Sequence, residues 1–416
     1  MTYTYDLKNS HHDNKASIGL YICNTINTIN ELFLSTFLIA YIYSFSTDIF
    51  DYIFKVTYYE IVTYVVMFIS YYISSKIVNR TNRISVYRFS IFIWAVFVVF
   101  AVFYGEKIAQ MIWLAGILCG LARGVYWSSF NVLKQEMIGK SSMSKFSTFS
   151  MILQKTINVV FPVTLGALID VVSYSNAALV VLAFCLVQIV VSFMVKSKLP
   201  TNSDFNLKAY FKRLKEKTEL NKRLKFLYAA CFVYGTNNAV STLVNIYIMV
   251  MFGTNTSLGT ITSFIAVAVI IMTYLVGRFS KEGKRTPLYL SMAIIGALSV
   301  VLYLIMPDKW SIVLVNFILS IGAAVFKLMF DMYRNKYLKE YGRYDDIAEH
   351  QGVIESILQI CRVVSYSLIM LVSFAKSMLL INITFAFFAA LFISNLIIFL
   401  IFEKKFAKTE TIKIEK

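Results

Sequence analysis

IAQMIWLAGILCGLARGVYWSSFNVLKQEM (residues 108–137) and FSTFSMILQKTINVVFPVTLGALID (residues 146–170) decide how this chain is read. Each is an apolar run long enough to cross a bilayer, because about 20 helical residues span the hydrocarbon. Each nonetheless carries one cation far from its ends, Arg123 in the first and Lys155 in the second. Counted from the basic turn between them, Arg123 lies about 17 Å into the membrane and Lys155 about 14 Å. Cations at such depth on consecutive helices are costly unless they face a polar interior. The pair therefore marks where that interior lies.

Composition extends the reading to the whole chain. Hydrophobic residues make up 58% and charged residues 15% of the 416, and mean hydropathy is +0.67, which excludes a soluble globule. Membrane-length apolar stretches recur twelve times between residues 18 and 402. The sequence thus predicts an all-α membrane protein with twelve transmembrane helices in two six-helix halves. The expected division is a tail at 1–17, a first half at 18–196, a basic linker at 197–223, a second half at 224–402 and a tail at 403–416.

The net charge of +17 has a topological cause. With the N-terminus in the cytoplasm and the helices alternating, 32 of the 40 Lys and Arg fall in cytoplasmic segments or helix ends. Four fall outside (Lys55, Lys107, Lys309, Lys376) and four within helices (Arg123, Lys155, Lys327, Arg362). This positive-inside bias puts both termini in the cytoplasm and removes the case for a nucleic-acid partner. Residues 1–17 lack a small-residue cleavage site before the first helix, so no removed signal peptide is expected. Cys23, Cys119, Cys185, Cys231 and Cys361 stand one per helix without a C-x-x-C, and read as buried small apolar residues. The spans hold no Ser/His pair, metal cluster or H-E-x-x-H, so neither an enzyme nor a cofactor is expected.

The polar residues are not spread evenly. In helix one, Asn27, Asn30 and Glu31 follow i, i+3, i+4 spacing and share one face. Glu31 stands about level with Arg123; it reads either as a structural partner of that arginine or as a carboxylate that protonates during transport. Glu60, Lys327, Asp331, Glu355 and Arg362 are the remaining deep ionisable residues, on helices two, ten and eleven. Helices three, six, nine and twelve carry none at their centres and are expected to face lipid. In the linker, Phe205, Leu207, Phe211 and Leu214 alternate with lysines, the pattern of an amphipathic helix on the cytoplasmic membrane surface.

The halves resemble one another. GVYWSSFNVLK (124–134) aligns with AVFKLMFDMYR (324–334), and ILQ at 152–154 recurs at 357–359, a repeat of about half the chain. Twelve helices in two repeated halves with a basic central loop resemble the major facilitator superfamily. That family carries G-x3-D-[RK]-x-G-[RK]-[RK] between helices two and three. Here Ser75, Asn79, Arg80, Asn82 and Arg83 occupy its positions, the basic residues kept and the glycines and acid replaced. The second copy, GRFSKEGKR (277–285), keeps Gly277. LARG (121–124) resembles the family's helix-four arginine motif, with Tyr126 and Trp127 replacing its usual Gln and Gly, and FPVTLG (161–166) resembles its helix-five antiporter motif through Pro162 and Gly166. The resemblance implies a cavity surrounded by helices one, four, seven and ten.

The function expected is a secondary active transporter of a small organic solute, driven by protons. Arg123, Lys155, Arg362, Lys327, Asn27, Trp127, Asn158, Asn237 and Asn238 are the expected substrate-binding residues, and Glu31 and Glu355 the expected proton carriers. Trp127 stands one turn from Arg123, within cation–π reach, and Lys327 and Asp331 at i, i+4 form a local pair. Arg123, Lys155 and Arg362 together lean toward an anionic or zwitterionic solute. The expected partners are that small molecule, protons and membrane lipids, for a monomer in a bacterial cell membrane. Two alternatives stand beside this reading: a proton-antiport drug or lipid exporter, and a sensor or scaffold that keeps the fold without transporting.

Overall fold

In lipid every backbone N–H and C=O must find its partner within the protein, so apolar stretches of this length become helices. The computed structural model describes residues 14–80, 82–137, 140–196, 205–279, 286–334 and 347–414, and every element among them is helical. α1 (Asn14–Leu32) continues through a π-helical turn (Phe33–Phe37) into α2 (Leu38–Tyr43) as one span. α3 (Ile49–Arg80), α4 (Arg83–Tyr104), α5 (Ile112–Met137), α6 (Lys140–Val172) and α7 (Tyr174–Ser192) follow. The short α8 (Leu207–Leu214) lies in the linker. After it come α9 (Glu219–Phe252), α10 (Asn255–Phe279), α11 (Thr286–Ile305), α12 (Lys309–Arg334), α13 (Ile347–Phe374) and α14 (Met378–Ile414).

Nine helices among the described residues are long and apolar enough to cross a membrane. The three further long spans, α1–α2, α5 and α9, are those that carry Glu31, Arg123 and the asparagines. The architecture is consistent with the twelve spans expected.

Short turns join α2 to α3, α6 to α7, α9 to α10, α11 to α12, and α13 to α14 at one end of the bundle, called here the short-turn end. Gly253 makes one of them, ending α9 at φ 75°, a left-handed conformation that glycine adopts without strain. α8 lies at the opposite, linker end. Asn206 caps it, its Oδ1 accepting from the Ala209 N–H at 3.0 Å.

Two helix pairs set the packing. On α5, Gly116, Gly120 and Gly124 repeat every fourth residue, and α3 lies directly on them. A methyl group at Gly116 would stand 2.9 Å from the Val62 side chain, and one at Gly120 would stand 2.5 Å from the Thr63 carbonyl oxygen. Small residues at this spacing are how membrane helices approach closely. α6 and α10 meet the same way, Gly166 under the Asn255 backbone and Gly259 under the Pro162 carbonyl. The Pro162–Gly166 segment therefore has a packing role. α3 also packs on α13, and α9 on α13 and α14.

Large apolar side chains are exposed on α7 (Leu186, Val187, Val190), α11 (Ile294, Leu298) and α14 (Leu379, Ile383, Phe387), and also on α3 (Ile69, Ile73), α10 (Phe264, Ile271) and α13 (Val364, Leu371), so exposure is not confined to the helices expected to face lipid. The linker helix is more deeply seated than its amphipathic pattern suggests. Tyr210 is fully buried, its hydroxyl 2.6 Å from that of Tyr228, which in turn lies 2.7 Å from His350 Nδ1. The Asn206 N–H donates to Glu349 Oε1 at 3.0 Å. α8 is thus fastened to α9 and α13, not simply laid on a surface.

Candidate functional site

Counted from the short-turn end, the ionisable residues within the bundle fall into two groups, although counted from the turn between α5 and α6 Arg123 and Lys155 stand level, fourteen and fifteen residues in. Glu31 lies twelve residues before the end of α2, Glu60 eleven residues into α3, Arg123 eleven into α5 and Arg362 twelve before the end of α13. All four stand about 16–18 Å from the short-turn end. Lys155, Lys327 and Glu355 lie seventeen to nineteen residues from the same ends of α6, α12 and α13, about 26–28 Å along. The first group holds two carboxylates and two guanidiniums. Among the described residues the second holds two ammonium groups and one carboxylate.

Within the first group the acids and bases meet. Arg123 is buried and in electrostatic contact with Glu31, Tyr59 and Tyr64. Glu60, 3% exposed, is in electrostatic contact with Arg123 and Arg362. Glu31 Oε1 accepts from the Trp127 indole N–H at 3.0 Å. This hydrogen bond joins α5 to α1. The π-helical turn begins two residues after Glu31, a local widening of the kind that recurs at functional positions.

Arg362 reaches two ways. Its Cζ lies 4.9 Å over the Tyr64 ring, and its Nη1 donates to Gln359 Oε1 at 3.1 Å. Gln359 Nε2 donates in turn to Glu355 Oε2 at 3.4 Å, so Glu355, Gln359 and Arg362 form a relay along α13. Tyr64 accepts from Asn238 Nδ2 at 3.0 Å and stacks on Tyr366, with centroids 5.7 Å apart. Asn238 of α9 is thereby brought to the cluster, while the neighbouring Asn237 is half-buried.

The asparagines of α1 divide. Asn27 is buried, 1% exposed, and its Oδ1 has no hydrogen-bond partner in the protein. Asn30 turns outward to α7, donating to Gln188 Oε1 at 3.0 Å, and Gln188 Nε2 donates to the Cys23 carbonyl at 2.9 Å. That arrangement ties α1 to α7, so the face predicted for Asn27, Asn30 and Glu31 together is split.

In the second group Lys155 has Lys327 as its charged neighbour, across α6 and α12. Lys155 is half-buried and Lys327 exposed, and Asn158, one turn from Lys155, is half-buried. The side chain of Asp331, the expected partner of Lys327, lies outside the described residues, as do the surroundings of Asn79, Arg80 and Gly277. Arg83, the remaining loop-motif residue, is buried at the start of α4.

Sequence reasoning left Glu60 out of the site. The signal that finds it is the glycine repeat at 116, 120 and 124, which brings α3 against α5 and so sets Glu60 beside Arg123.

Against known proteins, an uncharacterized protein of Bacillus subtilis, YqgE, is 22% identical over 242 residues, covering 56% of this chain and 55% of its own length. A Geobacillus stearothermophilus protein encoded in the sodM 3' region is 26% identical over 102 residues, covering 24% of this chain and 48% of that one. The chain spans about half the length of the curated relatives it matches. Among solved structures, a POT family transporter in complex with 5-aminolevulinic acid superposes with a TM-score of 0.70 at 11% identity, over 94% of this chain and 96% of that one. The human organic anion transporter MFSD10 gives 0.66 at 11% identity, over 92% and 99%. The nucleoside transporter NupG gives 0.67 at 10%, over 93% and 99%. At these identities the likeness is one of fold. Residues 20–368 match the Major Facilitator Superfamily profile, and the chain accordingly belongs to that family of integral membrane transporters.

Proposed function

We propose that this protein is a proton-coupled secondary transporter of a small organic solute bearing a carboxylate or phosphate, anionic or zwitterionic overall. The observation that carries the reading is which charges neighbour which. Arg123 is in electrostatic contact with Glu31 and Glu60, and Arg362 with Glu60, whereas the charged neighbour of Lys155 among the described residues is a second cation, Lys327. Two ammonium groups that repel one another favour an anionic occupant between them. Asn27, Asn158, Asn237, Asn238 and Trp127 supply neutral polar contacts around it, and Glu31 and Glu355 are the coupling carboxylates.

The reading extends to topology. The halves 18–196 and 224–402 rock about the site, with the linker, both tails and the Asn79–Arg80–Arg83 and Gly277 loops on the cytoplasmic side. The protein acts as a monomer in the bacterial cell membrane.

A thermal-shift screen of the purified protein over metabolites and antibiotics identifies a ligand, since binding to the folded state raises apparent stability. Uptake of that ligand into proteoliposomes under an imposed pH gradient then tests transport. Stabilisation by organic anions with pH-driven accumulation is expected. Stabilisation by lipophilic cations with proton-driven efflux favours the exporter. Stabilisation with no flux in either direction favours a sensor.

A further inference from the structure

Glu60 is in electrostatic contact with both guanidiniums, and the proposed function gives it no role. It is 3% exposed, and its Oε2 has no hydrogen-bond partner in the protein. The ionisable groups facing it come from three helices: Tyr59 and Tyr64 of α3, Cys119 and Arg123 of α5, and Arg362 and Tyr366 of α13. Glu31 of α1 reaches the cluster through Arg123. α9 contributes the neutral Asn238 and Thr242, the latter 2.7 Å from the Tyr366 hydroxyl.

The contact of α3 with α13 at this level is built from Glu60 and its partners. Tyr64 carries Arg362 on its face and stacks on Tyr366, and Tyr366 donates to the Asn238 carbonyl at 3.1 Å. Arg362 Nε has no hydrogen-bond partner. If Glu60 took up a proton, Arg123 and Arg362 would lose the carboxylate they share. An uncompensated buried charge is costly, and the cost is relieved when water reaches it. Separation of α13 from α3 would supply that water to Arg362.

We propose that Glu60 is a proton-binding site and that its charge state governs whether α3 stays against α13. The proposal rests on the proton-coupled reading but not on the identity of the solute or on the role of Glu31.

The test uses the full chain in lipid nanodiscs and needs no substrate. Infrared difference spectra between acid and neutral pH report protonated carboxylic acids. A band lost on raising the pH is expected in the native protein and in a Glu31→Gln/Glu355→Gln background, where the coupling carboxylates are silent, and its loss when Glu60→Gln is added to that background identifies the group. Spin labels at Val65→Cys on α3 and Ile360→Cys on α13, both exposed positions, report the separation. The distance should lengthen at acid pH in the native background and stay long at every pH in Glu60→Gln. A band that persists when Glu60→Gln is added to that background, or a distance indifferent to Glu60→Gln, overturns the proposal. Should Glu60→Gln not yield a monodisperse protein, Arg362→Gln carries the test: the midpoint of the band moves there and not in Lys327→Gln, and an unmoved midpoint counts against Glu60. A transporter that moves no screened solute yet shows the Glu60 band would fail the functional reading and leave this one standing.

Discussion

Asp170 of α6 accepts from the backbone N–H of Thr256 at 2.8 Å and from its hydroxyl at 2.6 Å, at the first turn of α10. Its other oxygen takes the Asn255 side-chain amide at 2.8 Å and backbone N–H at 3.3 Å. One carboxylate thus satisfies N–H groups that have no partner within their own helix, from a helix 85 residues earlier in the chain. The glycine contacts between α6 and α10 lie just below it, so this acid fastens the short-turn end where those two helices meet. Asp170→Ala should cost about 1 kcal/mol, the usual penalty for losing a helix cap. Asp170→Asn, which keeps one acceptor, should cost less. Thermal unfolding in detergent ranks the two, and equal losses would show that the charge, not the cap geometry, matters.

Gly120→Ala tests the seat of α3 on α5. The added methyl would face the Thr63 carbonyl oxygen at 2.5 Å, and a backbone neighbour cannot turn aside. Overpacking of this kind costs about 1–3 kcal/mol. Gly322→Ala is the control, because its methyl would meet nothing closer than 3.7 Å. A similar loss of melting temperature at both sites would refute the close-approach argument.

Asn30→Ala should lower stability without touching solute binding. It removes a donor to Gln188 and an acceptor for the Cys185 thiol, leaving buried polar groups unpaired at about 1–3 kcal/mol. Asn27→Ala should do the opposite, weakening ligand stabilisation in the thermal-shift assay while the unliganded protein melts nearly as before. The two residues are three apart, so reversed results would exchange their roles.

Glu31→Gln mimics the protonated acid and retains an acceptor for the Trp127 indole N–H. Ligand binding and exchange should survive while accumulation driven by a pH gradient is lost. If binding and folding collapse together, Glu31 is a structural partner of Arg123 and Trp127. Undiminished pH-driven uptake would pass the coupling role to Glu355 or Glu60.

Labelling of Lys208→Cys, an exposed position on α8, tests the topology. It should react with a membrane-impermeant maleimide only in inverted vesicles. Tyr210, though central to the linker, is unsuitable because it is buried.

The fold was legible because its signal is one-dimensional. Twelve apolar stretches and the bias of the basic residues need no knowledge of which helix touches which. Arg123 and Lys155 announced a polar interior for the same reason, since depth is counted along a single helix. What escaped were the pairings between helices. Trp127 reads as a neighbour of Arg123 along α5, and only the placement of α1 hands its N–H to Glu31. Asn27 and Asn30 differ by about 60° around the helix axis, small enough to share a face on paper and large enough to sort them between cluster and α7. Glu60 needed α3 to be set on α5. The glycine spacing that sets it there was written in the sequence, but it says how close two helices come and not which two.

The Tyr210–Tyr228–His350 contact has a bearing on how the chain is divided by experiment. α8 is attached through buried hydroxyls and an imidazole to the helices that follow it. A protein expressed as two separate polypeptides should therefore be cut ahead of Phe205, so that α8 travels with α9. A cut placed after Leu214 would strand α8 on the wrong fragment and open the linker-end surfaces of α9 and α13 to water. Reassembly of the two fragments would then depend on a docking step that the other cut never requires.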